Sequence, residues 1–431
     1  MKKSILLPLL IIFSFSANLK AQKLNKTERK IIEKVKSFDD ASLTFLEKVV
    51  NINSGTLNLS GVKEVGDVFS DSFREIGFNT QWIDMPEEMN RAGHLFASID
   101  GNKGKKLLLI GHLDTVFEKN SPFQTFERIN DSIATGPGAN DMKGGDVVLL
   151  YALKALADLN LLKKANITVA LIGDEESTGK PLTISRKELI EAGKKADIAL
   201  GFENATGFDN ATIARRGASG WSVEVKGKRA HSSGVFNERI GAGAIFEMSR
   251  ILNAFYEQVR GEEYLTFNPG TLLGGTFVDY DKQTSSGEVF GKTNVVAQTA
   301  LANGGLRFIS EEQKESARSK MRDIVNQNLP QTSAIITFQD SYPAMGPSEG
   351  NKAVLKVLSE VSQDLGFGPV TGYDPGKRGA ADISFVADYV DGLDGLGTMG
   401  NNAHTPQETV NLKTMNALIQ RAALLIYRLT R

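Results

Sequence analysis

Lys106-Leu-Leu-Leu-Ile110-Gly-His112-Leu-Asp114 decides how this chain is read. Four apolar residues in a row predict a strand buried on both faces, the habit of parallel sheets. The strand then runs straight into a histidine and an aspartate. Two other predicted strands end the same way. Ile167 to Ile172 runs into Gly173-Asp174-Glu175-Glu176, and Ile198 to Phe202 runs into Glu203. Open α/β sheets collect ligands at the carboxyl ends of their strands, so these groups should converge on one crevice. Asp141, after the turn-rich Thr135-Gly-Pro-Gly138 and just ahead of a helical pattern, joins them.

Outward from that core the pattern is helical over Asn25–Val50 and Val62–Ile76, extended over His94–Asp100, and helical again over Asp141–Leu159. Strands alternating with helices predict an α/β domain, a mostly parallel sheet with helices on both faces. After Ala214 the grammar changes. Trp221–Val225 reads as a half-exposed strand, and Arg239–Val259 as a helix. Next come strands at Leu265–Leu273, Asn294–Ala300 and Gly305–Ile309, a charged helix at Glu311–Leu329 and a strand at Ala334–Phe338. This is an α+β unit of ferredoxin-like character. The expected organisation is a discontinuous domain, residues 22–215 and 337–431, carrying an insert over 216–336.

Composition narrows the chemistry. The 431 residues hold 50 Lys+Arg against 51 Asp+Glu, 41% hydrophobic residues and no cysteine. Ordinary apolar content and near-zero net charge exclude a disordered chain, and the balance of charge argues against nucleic acid as a partner. Without cysteine there is no disulfide, thiolate metal site or cysteine nucleophile, so any metal must be held by His, Asp and Glu. Met1-Lys2-Lys3, the apolar run Ile5–Phe15 and the small Ala21 predict a signal peptide over residues 1–21, since that run is too short to span a bilayer. Its removal takes Lys2, Lys3 and Lys20 and moves the net charge from −1 to −4. The expectation is an exported protein, periplasmic or secreted, with no membrane partner after cleavage.

The spacings suit metal. In an extended segment residues i and i+2 share a face, so Asp114 can reach the ring of His112, and a carboxylate behind a metal-bound imidazole fixes its tautomer. Glu175 and Glu176 are adjacent and should point apart, leaving one for metal and one for a water or substrate. So many carboxylates in one place would repel and protonate unless cations joined them. A lone His-x-Asp or Glu-Glu pair is ordinary surface chemistry. Their placement at successive strand ends, in a chain with only four histidines, is what distinguishes them. His94 stands outside these motifs and reads as an exposed or satisfied structural histidine, whereas His112, His231 and His404 lie in polar or Gly-rich contexts.

Together His112-Leu-Asp114, Asp141-Met-Lys-Gly-Gly145, Glu175-Glu176, Glu203 and His404 resemble the aminoacylase/carboxypeptidase family of co-catalytic zinc peptidases, and most of all its glutamate carboxypeptidase branch. Asn51-Ile-Asn-Ser-Gly-Thr56, Arg216-Gly-Ala-Ser-Gly220, Gly227-Lys-Arg-Ala-His231 and Asn294-Val-Val296 extend the resemblance through both domains. It implies two zinc ions per chain, with cobalt or manganese as substitutes, bridged by Asp141. One would also take His112 and Glu203, the other Glu176 and His404. Asp114 would orient His112, and Glu175 would be the general base. The insert would form a homodimer, and His231 would enter the partner's site to bind the oxyanion. Asn294 and Arg307 are candidates for the substrate backbone and carboxylate. A neighbouring zinc aminopeptidase family shares the ligand series but lacks the insert, and Glu at 203 favours carboxypeptidases and acylases.

The expected activity is hydrolysis of an amide bond next to a free C-terminal carboxylate in a small peptide. N-acyl-amino-acid hydrolysis is the same chemistry on a different acyl group. A catalytically silent binding module should have lost a ligand or Glu175, and all are present. Two departures stand out. Ser177-Thr-Gly-Lys180 matches the family's loop loosely, and in Lys377-Arg-Gly-Ala-Ala-Asp382 only Asp382 fits the usual Gly-Thr-Asp signature. Arg215 and Arg216 read as a solvated basic pair or as positive charge near the crevice.

Overall fold

The computed structural model describes residues 24–282 and 284–431. The predicted signal peptide lies outside them. Five strands of the central sheet precede the insert: β1 (Asn79–Asp84), β2 (Gly93–Ile99), β3 (Lys103–His112), β4 (Ala165–Ile172) and β5 (Ile198–Gly201). With the short strand Gly392–Leu393 they form a six-stranded sheet in the order β1-β2-β4-β3-β5 and then Gly392–Leu393. β3 is parallel to β4 and β5, and β5 to Gly392–Leu393. The β1–β2 and β2–β4 pairs are antiparallel. The sheet is therefore mainly parallel with one antiparallel edge, and the short connection between β1 and β2 leaves no room for a parallel crossover.

The apolar run in β3 is buried on both sides, as its composition requires. Leu107 and Leu109 face a large core with the helices Lys143–Asp158 and Leu412–Leu429. Leu108 and Ile110 face a second, smaller core with Leu189 and Phe385. Burial grows along the strand, from exposed Lys103–Lys106 to a buried His112. The reactive end of β3 is thus carried inside the protein.

The insert comprises β6 (Gly217–Lys226), the helix Ala244–Gln258, β7 (Thr266–Gly275), β8 (Thr299–Phe308), the helix Glu311–Val325 and β9 (Ser333–Asp340). Its antiparallel order β7-β8-β6-β9 is the ferredoxin-like arrangement, around its own core of Trp221, Val223, Met248, Ile251, Phe255 and Met321. Several boundaries move. The expected end of the insert at 336 falls inside β9, whose sheet runs on to Asp340. The helix expected from Arg239 starts at Ala244. The two strands expected at Asn294–Ala300 and Gly305–Ile309 are one strand, β8, and Asn294 lies in the loop before it. Gly304-Gly305 reads as a break, but it is strand interior. A Cβ at Gly304 would stand 2.3 Å from the Trp221 ring and 2.2 Å from the Asn268 carbonyl, so the glycine is where ring and neighbouring backbone close in. A hairpin that the sequence reading does not anticipate, Phe277–Asp281 with Ser286–Phe290, leaves Phe277, Val289 and Phe290 exposed.

The segments entering and leaving the insert pair with each other. Arg215 N–H donates to Met345 O (2.8 Å) and Met345 N–H to Arg215 O (3.0 Å). Among the described residues no helix is long and apolar enough to cross a membrane.

Candidate metal centre

The ends of β3, β4 and β5 meet as their sequences suggest. His112 Nδ1 donates to the Asp114 main-chain carbonyl at 3.1 Å, which leaves the Nε2 lone pair facing the crevice. Nε2 lies 3.4 Å from Asp141 Oδ1 and 3.6 Å from Glu203 Oε1. The other oxygen, Asp141 Oδ2, is 3.1 Å from His404 Nε2, which is also 3.1 Å from Glu176 Oε2. One carboxylate thus faces two ligand sets, His112/Asp141/Glu203 and Asp141/Glu176/His404.

Local structure explains the placement. Asp141 sits at a turn whose N–H groups, those of Asn140 and Asp141, donate to the buried Glu408 at 2.8 and 3.1 Å. The next helix packs its first turn onto the strand leading to Glu203. A Cβ at Gly145 would be 1.9 Å from the Phe202 carbonyl, so only glycine lets Asp141 and Glu203 approach. His404 lies on an exposed loop in the left-handed region, φ 65°, an unusual conformation for a non-glycine residue and one that clusters at functional sites.

The electrostatics ask for cations. Burial and the nearby Asp141 push Glu203 up to about 7. Burial raises Glu175 well above the carboxylate range, reinforced by Glu203, Asp382 and Glu176. Hydrogen bonds to Asp141 and Glu176 raise His404 to about 11. Protons here do the work that a multivalent cation would take over, since metal ligands must be deprotonated to bind. Two buried ligand atoms, His112 Nε2 and Glu176 Oε1, have no hydrogen-bond partner among the described residues. Two imidazoles and three carboxylates, with orphaned atoms among them, fit a pair of divalent ions. Elemental analysis of the pure protein should give about two divalent ions per chain, with hydrolysis abolished by chelation and restored by zinc. One ion per chain, or full activity in chelator, would remove the dinuclear assignment.

The model of peptidase family M20/M25/M40 matches residues 108–428. The chain belongs to this family. Carboxypeptidase G2 of Pseudomonas sp. (strain RS-16) is 26% identical over 392 residues, 90% of this chain and 88% of that one. Succinyl-diaminopimelate desuccinylase of Hydrogenovibrio crunogenus is 23% identical, covering 90% and 97%. Among solved structures, aminopeptidase PepT from Bacillus cereus ATCC 10987 superposes with a TM-score of 0.72 at 18% identity, over 91% of this chain and 99% of that one. The family assignment makes the chain a metallopeptidase-type hydrolase.

The structure shows what several residues of this M20 protein pair with. The Asp114 carboxylate is 3.5 Å from His112 Nδ1, behind the main-chain carbonyl. Its oxygens are taken up by Glu175 N–H (3.0 Å), Glu176 N–H (3.1 Å) and the Thr56 hydroxyl (2.6 Å). Asp114 therefore holds the Glu175-Glu176 backbone as well as backing the imidazole. Arg215 is not solvated; it is buried and ion-paired to Asp394 at 2.6 Å. Asp382 lines the cavity beside His112 and Glu203. It joins Asp174 in a buried ion-pair cluster around the fully buried Arg186. His94 is buried, donating through Nε2 to Ser185 O and accepting Gly173 N–H at Nδ1; it props the loop that carries Glu175. Neither Glu408 nor Arg186 had a signal, because Asn140 is 268 residues from Glu408 and Asp382 is 196 from Arg186.

His231, Asn294 and Arg307 all sit in the insert and are exposed. His231 Nδ1 is engaged by Ser233, and Asn294 lies beside it, its carbonyl accepting Ser232 N–H at 2.9 Å. Partial shielding of its guanidinium from solvent and the like charge of Arg216 lower Arg307. Among the described residues no hydrogen bond or ion pair joins these three to the metal-facing set of their own chain.

Proposed function

We propose that this protein is an exported, dinuclear zinc carboxypeptidase that hydrolyses the amide bond next to a free C-terminal carboxylate in a small peptide. The observation that carries the reading is Asp141, whose two oxygens face two separate ligand sets while Glu175 lies beside them. Bound there, a pair of divalent ions would polarise the scissile carbonyl and bring the pKa of an attacking water down to near 7. His112, Asp141 and Glu203 would hold one ion, and Asp141, Glu176 and His404 the other. Glu175 takes the proton of the water on its carboxylate and gives it to the leaving amine nitrogen. Asp114 keeps that carboxylate in place through the backbone. The similarity to carboxypeptidase G2 supports the bond chosen. Export rests on the N-terminal pattern Met1-Lys2-Lys3 to Ala21, and a mature protein beginning elsewhere than Gln22 would count against it.

The second reading, an N-acyl-amino-acid amidohydrolase, is favoured by the desuccinylase likeness and uses the same centre. A screen of C-terminal dipeptides against N-acyl amino acids, read by amine release, separates the two. Peptide turnover well above that of acyl amino acids is expected, and the reverse ratio would give the second reading. Hydrolysis only of peptides with a blocked C-terminus would dismiss both.

The insert's role is part of the same proposal. It forms a homodimer, and the partner's His231 reaches the crevice to donate to the oxyanion. Asn294 stands beside that histidine, and Arg307 supplies a cation for the substrate carboxylate. The support is that all three are exposed and leave the metal centre of their own chain untouched.

A further inference from the structure

The segment Gly173-Asp174-Glu175-Glu176 has no helix or strand to hold it, yet it carries both a metal-facing carboxylate and the base. Its N–H groups are held by Asp114. Its carbonyl side is held from a different part of the molecule. The Tyr342 hydroxyl donates to Glu175 O at 2.7 Å, and Thr178 Oγ1 lies 2.9 Å from the same hydroxyl. The tyrosine ring packs against Phe385, centroids 4.9 Å apart, so the hydroxyl is aimed by a fixed lever.

Tyr342 stands in the segment that returns from the insert, just after β9. Its own backbone belongs to the insert's root: Ala218 N–H donates to Tyr342 O at 2.8 Å, and Ser341 N–H to Ala218 O at 3.3 Å. The side chain thus crosses from that root into the catalytic domain and ends on the Glu175–Glu176 peptide, one of the two peptide groups that set the direction of the Glu175 side chain. Both faces of that residue's backbone are then occupied, by Asp114 on one side and Tyr342 on the other.

We propose that Tyr342 is a positioning residue for this hydrolase, fixing Glu175 through its main-chain carbonyl. The proposal rests on the reading of Glu175 as the base. Reactive groups lose turnover steeply when displaced, about 10²-fold for a 1 Å error. Removing a hydroxyl that aims the base should therefore lower kcat and leave substrate binding alone. A residue that merely packed would instead disturb stability or metal content.

The test is a double-mutant cycle on the metal-loaded full chain. Tyr342→Phe is expected to keep its melting temperature within a few degrees, two metal ions and the KM of the wild type, with kcat down about 10- to 100-fold. Placed in a Glu175→Gln background, the same change should lower residual turnover less than twofold, because the group it positions is already gone. Wild-type kcat in Tyr342→Phe, loss of a metal ion, or an equal loss in both backgrounds would overturn the proposal. If Tyr342→Phe does not fold, Thr178→Val carries the same cycle, since it leaves the ring packed and removes a hydroxyl that lies 2.9 Å from that of Tyr342 and 3.5 Å from Glu175 O. A fall of a few-fold that vanishes with Glu175→Gln supports the proposal, and no fall overturns it. Full activity of Glu175→Gln alone would instead strike the underlying assignment of the base.

Discussion

Glu175→Gln is expected to keep the fold, both metal ions and substrate binding while losing turnover by about 10²–10⁴-fold, the usual contribution of a general base. The amide is nearly isosteric and can still occupy the space among Glu203, Asp382 and Glu176, but it cannot take a proton. Glu176→Gln should behave differently. Its Oε2 lies 3.1 Å from His404 Nε2 and its buried Oε1 has no hydrogen-bond partner among the described residues, so losing its charge should cost a metal ion first and activity as a consequence. Metal analysis of the two purified variants beside their kcat values separates the roles. Should Glu175→Gln lose metal and Glu176→Gln keep it, the division between the neighbours is reversed.

The second large effect concerns His231. One donor aimed at a developing oxyanion is worth about 2.7–4 kcal/mol, so His231→Ala should lower kcat about 10²–10³-fold. Its own chain offers the ring only Ser233 among the described residues, which makes the partner the expected beneficiary. Glu175→Gln and His231→Ala homodimers should each be nearly inactive. Mixed by co-expression, half the dimers are hybrids in which one site of two has both its own Glu175 and the partner's His231. Random pairing in a two-fold dimer therefore predicts roughly a quarter of wild-type activity. No recovery would place His231 in its own chain's site. A fully active His231→Ala would make it a surface residue, held by Ser233 and nothing more.

The strand ends, the alternation of strand and helix, and the change of grammar at the insert were all legible in the chain, because each is a local pattern. A run such as Leu107–Ile110 can only be a strand buried on both faces, and the residues just after it must lie at the sheet's carboxyl edge. The same reasoning placed His112, Glu175, Glu176 and Glu203 in one crevice. His404 entered the set only by resemblance, since it is on a loop with no periodic signal. Gly304-Gly305 misled the reading of β8, because the ring that fills the space above it comes from another strand.

By itself, then, the sequence determined the kind of protein: an α/β sheet with a ferredoxin-like insert, and a centre of histidine and carboxylate, since a chain without cysteine has no other metal ligands to offer. Only the tertiary structure decided which oxygen faces which imidazole, and which groups hold the ligands still. Glu408 behind Asp141, the Asp174–Arg186–Asp382 cluster, Asp114 under the Glu175-Glu176 backbone and Tyr342 on the Glu175 carbonyl are all pairings between segments distant in sequence. Hydrophobic periodicity reports which face of an element is buried, but a hydrogen bond between distant segments depends on how whole layers dock, and no local pattern carries that information.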